Sequence, residues 1–326
     1  MIRQTGVLHR SLALVAALAL VAGLAACSPG SGDLGTVAPP PPTTVPSLDA
    51  PSPEPTPGGT PGPTPDGSPA PSPTIVQPHE TTTIRAYFFL GSFTHDGGLV
   101  PVLREIPRTQ AVGAAAMNAL LSGPSEAELA ARPAMFTTVP AGTRFLGLSI
   151  EDAVATVDLS REFESGGGSA AVLGRLAQVV YTLTQFPTVE AVSFKLDGEP
   201  VTVFSGEGVL LEDPVSRAKY TDQLPLIWVD RPAWGAAGGN PMRVTGLSNV
   251  FEATFQVAIL DADGDVLADV TAMATCGTGC WGSFDVTIPY SVTSAQWGTL
   301  RVFEYSARDG TPQNSTDYPV WLTPAG

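Results

Sequence analysis

The sequence predicts a multidomain protein in which an α+β domain, a small sheet with helices on one face, is followed by an all-β sandwich. A disordered proline-rich tether precedes both. Three observations carry this prediction. More than half of the 32 prolines lie between residues 28 and 82, in a run almost free of large apolar side chains. No core there can offset the entropy of ordering. Over residues 83–212, pairs of alternating strands are interleaved with helical periodicity, as expected of a sheet carrying helices. Over residues 224–326 the helical period disappears, and short alternating runs succeed one another between turn signals.

The 326 residues accommodate two ordinary domains once the N-terminal segment is set aside. Lys and Arg total 16 against 31 Asp and Glu, a formal net charge of −15. A balance this acidic is repelled by nucleic acid and by anionic lipid head groups and keeps an exported protein soluble. No nucleic-acid partner is therefore expected. After the first 26 residues no apolar run approaches the length of a membrane helix.

Taken in order, residues 1–26 have the build of a secretory signal peptide. Arg3 and Arg10 precede an apolar stretch from Leu12 to Leu24 that is too short for a membrane span. The residues Leu24-Ala25-Ala26-Cys27 resemble the lipobox of bacterial lipoprotein signals. That resemblance implies cleavage before Cys27 and acylation of Cys27 with palmitate-like chains, two or more of which make a stable anchor. The alternative is an ordinary secretory signal in which Cys27 is incidental. The lipidated reading places the protein at the cell membrane, lipid-anchored on its extracytoplasmic face.

Residues 27–82 form the tether, whose Pro-x-Pro spacing favours extended polyproline II broken by Gly58-Gly59, Gly62 and Gly67. At about 3 Å per residue its reach is on the order of 150 Å. The expected role is a spacer that lifts the folded part away from the membrane.

The first domain opens with a buried strand, Ile84 to Leu90, turned at Asp96-Gly97 into a second, Leu99 to Leu103. A helix follows Pro107, with Thr109 as N-cap, an apolar face of Val112, Ala116, Ala119 and Leu120, and a stop at Ser122-Gly123-Pro124. Ser125 and Glu128 form a capping box for a short further helix. Two alternating strands come next, Leu146, Leu148, Ile150 and then Ala153, Ala155, Val157, Leu159. Val172, Leu176, Val179 and Leu183 define an amphipathic helix with Ser169 as N-cap, after the loop Gly166-Gly167-Gly168. Val192, Phe194 and Leu196 form a strand that Asp197-Gly198 turns back into Val201-Thr202-Val203. A connector runs from Ser205 to Gln223 through Glu212-Asp213-Pro214.

The second domain offers about seven short strands: Leu226–Val229, Met242–Val244, alternate residues from Phe251 to Ile259, Val266–Thr275, Phe284–Ile288, Leu300–Tyr305 and Tyr318–Leu322. Their number and spacing suggest an immunoglobulin-like sandwich, with turns at Asp263-Gly264 and Asp309-Gly310.

Both domains resemble known families. The first is similar to the GerMN domain of sporulation and spore germination proteins through Tyr87, Leu99-Val100-Pro101-Val102, Leu120 to Pro124, Pro140 to Thr143 and Val157 to Ser160. The most specific stretch is Val180 to Pro187, with Val189 and Val192 after it. The second resembles the Gmad2 immunoglobulin-like domain through Pro241 to Gly246, Phe251 to Ala253, Asp263-Gly264, Trp281 to Phe284 and Gly298 to Gly310. The resemblance implies an exported, membrane-anchored protein that is not an enzyme and that docks or assembles with other envelope components, chiefly proteins; sporulation- or germination-type processes are the setting the family suggests. Cell-wall glycan or peptidoglycan binding is the alternative partner class.

Catalytic readings find little to build on. His9 lies in the signal segment, His79 in the tether and His95 beside a hairpin turn. No serine elbow, zinc-protease pair or cysteine–histidine pair occurs. Paired carboxylates abound in so acidic a chain, so a two-carboxylate hydrolase stays open without any pair being singled out. Asp261 to Asp265 lacks the spacing of a calcium loop and reads as a hairpin turn. Trp281 and Phe284 are expected in the sandwich core, with Trp234 and Trp297 exposed. With Cys27 lipidated, Cys276 and Cys280 remain as a pair, read as a short disulfide in an oxidising compartment rather than as metal ligands. No cofactor or metal is expected.

Overall fold

The computed structural model describes residues 80–93 and 97–325. Cys27, His9, His79, His95 and Asp96 lie outside the described residues.

The first module starts with β1 (Thr81–Leu90) and β2 (Gly98–Pro107), antiparallel and paired along their whole length. Helix α1 (Val112–Leu121) buries Ala116, Met117 and Leu120. Its N-cap is Ala111 rather than the expected Thr109. The Thr109 hydroxyl instead accepts from the Ala111 N–H at 3.1 Å, which turns the chain one step ahead of the helix. Helix α2 (Glu126–Ala130) carries the expected capping box, and Arg104 donates to both Glu128 oxygens at 2.7 and 2.6 Å. Burial pushes the Glu128 carboxyl up, but those bonds and the Ser125 N–H outweigh it and hold its pKa below the usual range.

Strand β3 (Met135–Phe136) joins β1, completing a sheet of order β2-β1-β3. Strands β4 (Phe145–Glu151) and β5 (Val154–Leu159) follow. Asp152 and Ala153 take positive φ of 49° and 62° in the turn between them, so Ala153 lies outside the strand predicted for it. Helix α3 (Ser169–Leu183) then crosses to β6 (Ala191–Leu196), parallel to β5. Val172, Leu176, Val179 and Leu183 are all buried, as their period demands. The N-cap is Gly168, not Ser169, whose hydroxyl donates to Glu207.

The predicted strand Val201–Val203 is broken. β7 (Glu199–Pro200) closes the order β4-β5-β6-β7, and the chain then forms a separate hairpin of β8 (Val203–Phe204) and β9 (Val209–Leu210). Pro200 has no N–H with which to extend the ladder. Two sheets thus share the helices. β4 lies at a sheet edge, which leaves Leu146 and Ile150 exposed.

The stretch read as a connector is packed structure. Val215 pairs with Val192, and a 3₁₀ turn spans Arg217–Gln223. Leu211, Val215, Tyr220 and Leu224 are buried.

The second module is a sandwich of two sheets. One has the order β10-β11-β14, from β10 (Ile227–Arg231), β11 (Met242–Ser248) and β14 (Gly282–Ile288). The other is β13-β12-β15-β16, from β12 (Thr254–Leu260), β13 (Val266–Met273), β15 (Gln296–Tyr305) and β16 (Pro312–Leu322). Phe251 and Ala253, predicted at the head of β12, form a 3₁₀ turn in which Glu252 and Ala253 have φ of 54° and 57°. Phe255 and Phe284 meet edge to face between the sheets, with ring centroids 4.8 Å apart.

One continuous apolar core runs through both modules, from Phe88 and Leu99 through Tyr181 and Trp228 to Val257 and Leu300. The described residues form one compact body. The chain is therefore not two beads on a linker.

Candidate functional site

The centre of the first module is the edge of β1 that faces α3. Backbone groups on a strand edge need partners every second residue. Phe89 pairs with Phe136 of β3, which ends there. Two residues back, the Tyr87 carbonyl accepts from Gln178 Nε2 at 2.8 Å. Two further back, Gln185 takes the Arg85 N–H at 2.8 Å and donates to the Arg85 carbonyl at 2.7 Å. Gln178 and Gln185 stand seven apart, on one face of α3 and its C-terminal extension. Side-chain amides thus continue the sheet where β3 stops. Gln178 Oε1 also accepts from Thr138 N at 2.9 Å. Gln178→Leu is expected to orphan these buried groups and cost about 2–4 kcal/mol, read as a lower urea midpoint at unchanged slope.

The same geometry presents three aromatic rings at the junction with the sandwich: Tyr87 of β1, Tyr181 of α3 and Trp228 of β10, all essentially buried. Tyr181 lies 5.5 Å from Tyr87 and 5.6 Å from Trp228, centroid to centroid. Arg217, from the 3₁₀ turn, lies over all three, at 4.7 Å from the Tyr181 ring, 5.5 Å from Tyr87 and 6.0 Å from Trp228. Its Nε donates to Thr184 Oγ1 at 2.8 Å. Its Nη2 donates to the Tyr181 carbonyl at 3.0 Å and to the Tyr87 hydroxyl at 3.2 Å. Burial pushes the Tyr87 and Tyr181 phenols up, so both stay neutral; the Tyr181 hydroxyl has no partner among the described residues. The Tyr87 hydroxyl donates to Asp230 Oδ1 at 3.5 Å, and Arg85 and Arg231 each stand 3.8 Å from that carboxylate.

Beside this cluster a cleft of about 580 Å³ opens over the outer face of the β10-β11-β14 sheet. Trp228, Leu247 and Ser283 form one cross-strand row of its floor, and Thr245 and Asp285 stand in the next. Arg217 and Asp230 stand at the β10 side, and Met273 forms an apolar wall that is 72% exposed.

The residues singled out in the sequence are not brought together. Cys276 and Cys280 are joined, with Cα atoms 5.8 Å apart, at the loop linking the two sheets. Asp261 Oδ1 accepts from the N–H groups of Asp263 and Asp265, at 3.0 and 2.9 Å, and closes a hairpin turn. Carbonyls of Phe163, Ser165 and Gly166 take the buried Arg175 guanidinium at 2.7–2.9 Å, which pins the glycine-rich loop. Phe284 is buried, Trp281 half-buried, and Trp297 exposed beside Trp321. Trp234, expected exposed, is half-buried where the modules meet, its backbone N–H donating to the Pro101 carbonyl at 2.9 Å. The carboxyls with displaced pKa values, those of Glu128, Glu162, Asp285 and Asp309, are all held low by hydrogen bonds or arginine. Among the described residues no group of three or more His, Cys, Asp or Glu side chains is placed to hold a metal ion. No helix there is long and apolar enough to cross a membrane.

Sequence reading missed Arg217, Gln178 and Gln185. The available signal for Arg217 was Tyr87, since a tyrosine in a predicted buried strand usually finds a partner for its hydroxyl, and Arg217 with Asp230 supplies it; the Tyr181 hydroxyl has none among the described residues.

The fold defines a tandem of an α+β module and an immunoglobulin-like sandwich locked through an arginine–aromatic junction. The family profile described as sporulation and spore germination matches residues 85–202, and that described as the immunoglobulin-like domain of bacterial spore germination matches residues 226–311. Residues 85–202 and 226–311 thus match these two domain families in tandem. The first GerMN domain of the sporulation protein GerM from Bacillus subtilis is similar over 42% of this chain and 98% of its own, with 20% identity and a TM-score of 0.34. The tandem GerMN domains of the same protein are similar over 58% of this chain and 59% of theirs, with 16% identity and a TM-score of 0.35. No curated protein matches the chain.

Proposed function

We propose that this is a non-enzymatic envelope lipoprotein of the sporulation or germination type, held at the extracytoplasmic face of the cell membrane by acyl groups on Cys27. Its fused modules dock onto, or assemble with, other envelope components. The observation that carries the docking reading is the shared core. The two modules share one apolar core and so present one composite surface. The sequence around Cys27 supports the anchor, and the proline-rich residues after it supply reach.

Cys27→Ser is expected to remove the lipid and block lipoprotein-type cleavage, moving the protein out of the membrane fraction or leaving it uncleaved. Fractionation with N-terminal sequencing of the product checks this. A variant that stays membrane-bound with an unchanged mature N-terminus overturns the anchor. Crosslinking in intact envelopes tests the docking reading, which fails if only monomer is recovered.

A further inference from the structure

We infer that the cleft over the β10-β11-β14 sheet is a binding site for a short peptide segment carrying a carboxylate close to an ammonium group, with Arg217 and Asp230 as its two charged contacts.

The first observation is the orientation of Arg217. Its Nε and Nη2 are committed to Thr184, Tyr181 and Tyr87, and its plane lies over the Tyr181 ring. Its Nη1 has no partner among the described residues and is not among the polar atoms sealed from solvent, while Arg217 itself lines the cleft. A guanidinium fixed on one side offers its remaining donors in a set direction, which is what carboxylate recognition needs. The second is Asp230. It also lines the cleft, its side chain is 23% exposed, and its contacts are one hydrogen bond at 3.5 Å and ion pairs at 3.8 Å. Both oxygens thus retain capacity for a closer donor. Asp285, by contrast, is taken up by Arg243 through two bonds at 2.9 and 2.5 Å. The third is Trp228. It lines the cleft at 2% exposure, and since its indole N–H is sealed from solvent, it offers a ligand an apolar ring edge rather than a donor.

A cation and an anion with unused capacity select a ligand bearing both charges, since either alone would meet a like charge nearby. The body of the ligand then lies on Leu247 and the exposed Met273, with Thr245, Thr275 and Ser283 to meet backbone polar groups. The volume falls within the range of about 300–1,000 Å³ usual for small-ligand sites. In a chain of net charge −15 a free anion alone is a poor candidate, because the overall field opposes it.

The inference rests on the reading of the protein as a non-catalytic binder but not on its anchor. The test uses the full chain in detergent and three peptides: acetyl-Ala-Lys-Ala with a free C-terminal carboxylate, its C-terminal amide, and the norleucine analogue that lacks the ammonium. Titration calorimetry is expected to show the first binding about tenfold more tightly than either of the others. Asp230→Asn is expected to abolish the difference between the lysine and norleucine peptides. Met273→Glu, at an exposed wall that the core does not use, is expected to weaken the first peptide by about tenfold. Equal binding of acid and amide, or no binding of any peptide, overturns the inference. Recovery of the bound peptide intact supports both readings. Its hydrolysis would leave the cleft assignment standing and overturn the non-enzymatic reading.

Discussion

Replacing Arg217 by alanine is expected to split the thermal unfolding of the folded body into two transitions. Arg217 sits between the modules. It is hydrogen-bonded to Thr184 and Tyr181 at the end of the first module's helix and to Tyr87 of its central strand, and its guanidinium carbon lies 6.0 Å from the Trp228 ring centroid of the second. Truncation removes a cation from three ring faces and leaves the Tyr181 carbonyl and the Tyr87 hydroxyl short of a partner. Hydrogen bonds to a charged group and partly desolvated cation–π contacts together set the loss at about 3–5 kcal/mol. Because that loss falls where the shared core passes from one module to the other, the expected signature is decoupling. Scanning calorimetry of the wild type should show one transition and of the variant two, with the lower at least several degrees below the original. Lysine should restore little, since a single ammonium cannot reproduce the fork. One unshifted transition in the alanine variant would show that the modules are held together by other contacts.

Gly246→Ala is expected to disrupt the sandwich itself. A Cβ at this position would lie 1.9 Å from the Trp228 carbonyl oxygen and 2.8 Å from the Phe284 ring. The first neighbour is backbone of the adjacent strand and cannot rotate away, so β10 and β11 must separate. The cost is expected at about 3 kcal/mol or more, beyond ordinary overpacking. Gly264→Ala is the control. Its Cβ would meet nothing within 4 Å, and the change carries only the strain of φ +88°, about 1 kcal/mol. Urea midpoints that fall equally for the two variants would refute the steric account. The crowding also gives a physical reason for the glycine that ends the stretch Pro241 to Gly246, noted in the sequence only as a resemblance.

Much of the fold could be read from local pattern, because local pattern caused it. The period of Val172, Leu176, Val179 and Leu183 is the buried face of α3, and Ser125 with Glu128 caps α2 as spaced. All seven sandwich strands fall where the alternation placed them, although their ends move. What failed was non-local. Gln178 interrupts an apolar helix and Gln185 stands in the turn just after it, and their partners in β1 lie 91 and 100 residues away. Arg217 stands in a stretch without periodicity, which reads as a connector until its ring contacts are known. Trp234, expected exposed, is drawn in by a bond from its backbone N–H to the Pro101 carbonyl, far away in sequence. Leu146 and Ile150 alternate as a buried strand should, but sheet order puts them at an edge, and order is not encoded in a strand's own alternation.

The folded body begins at β1, and β1 is held on both edges, by β2 along its 10 residues and by β3, Gln178 and Gln185 on the other side. Tension arriving from the residues before Thr81 therefore runs along that strand. Its hydrogen bonds would have to shear together rather than peel one at a time. A protein pulled from this side while gripping a partner through its cleft would pass the strain through the middle of its sheet, close to the ring cluster that joins the two modules. β1 is thus the strand that a load applied from the N-terminal side meets first.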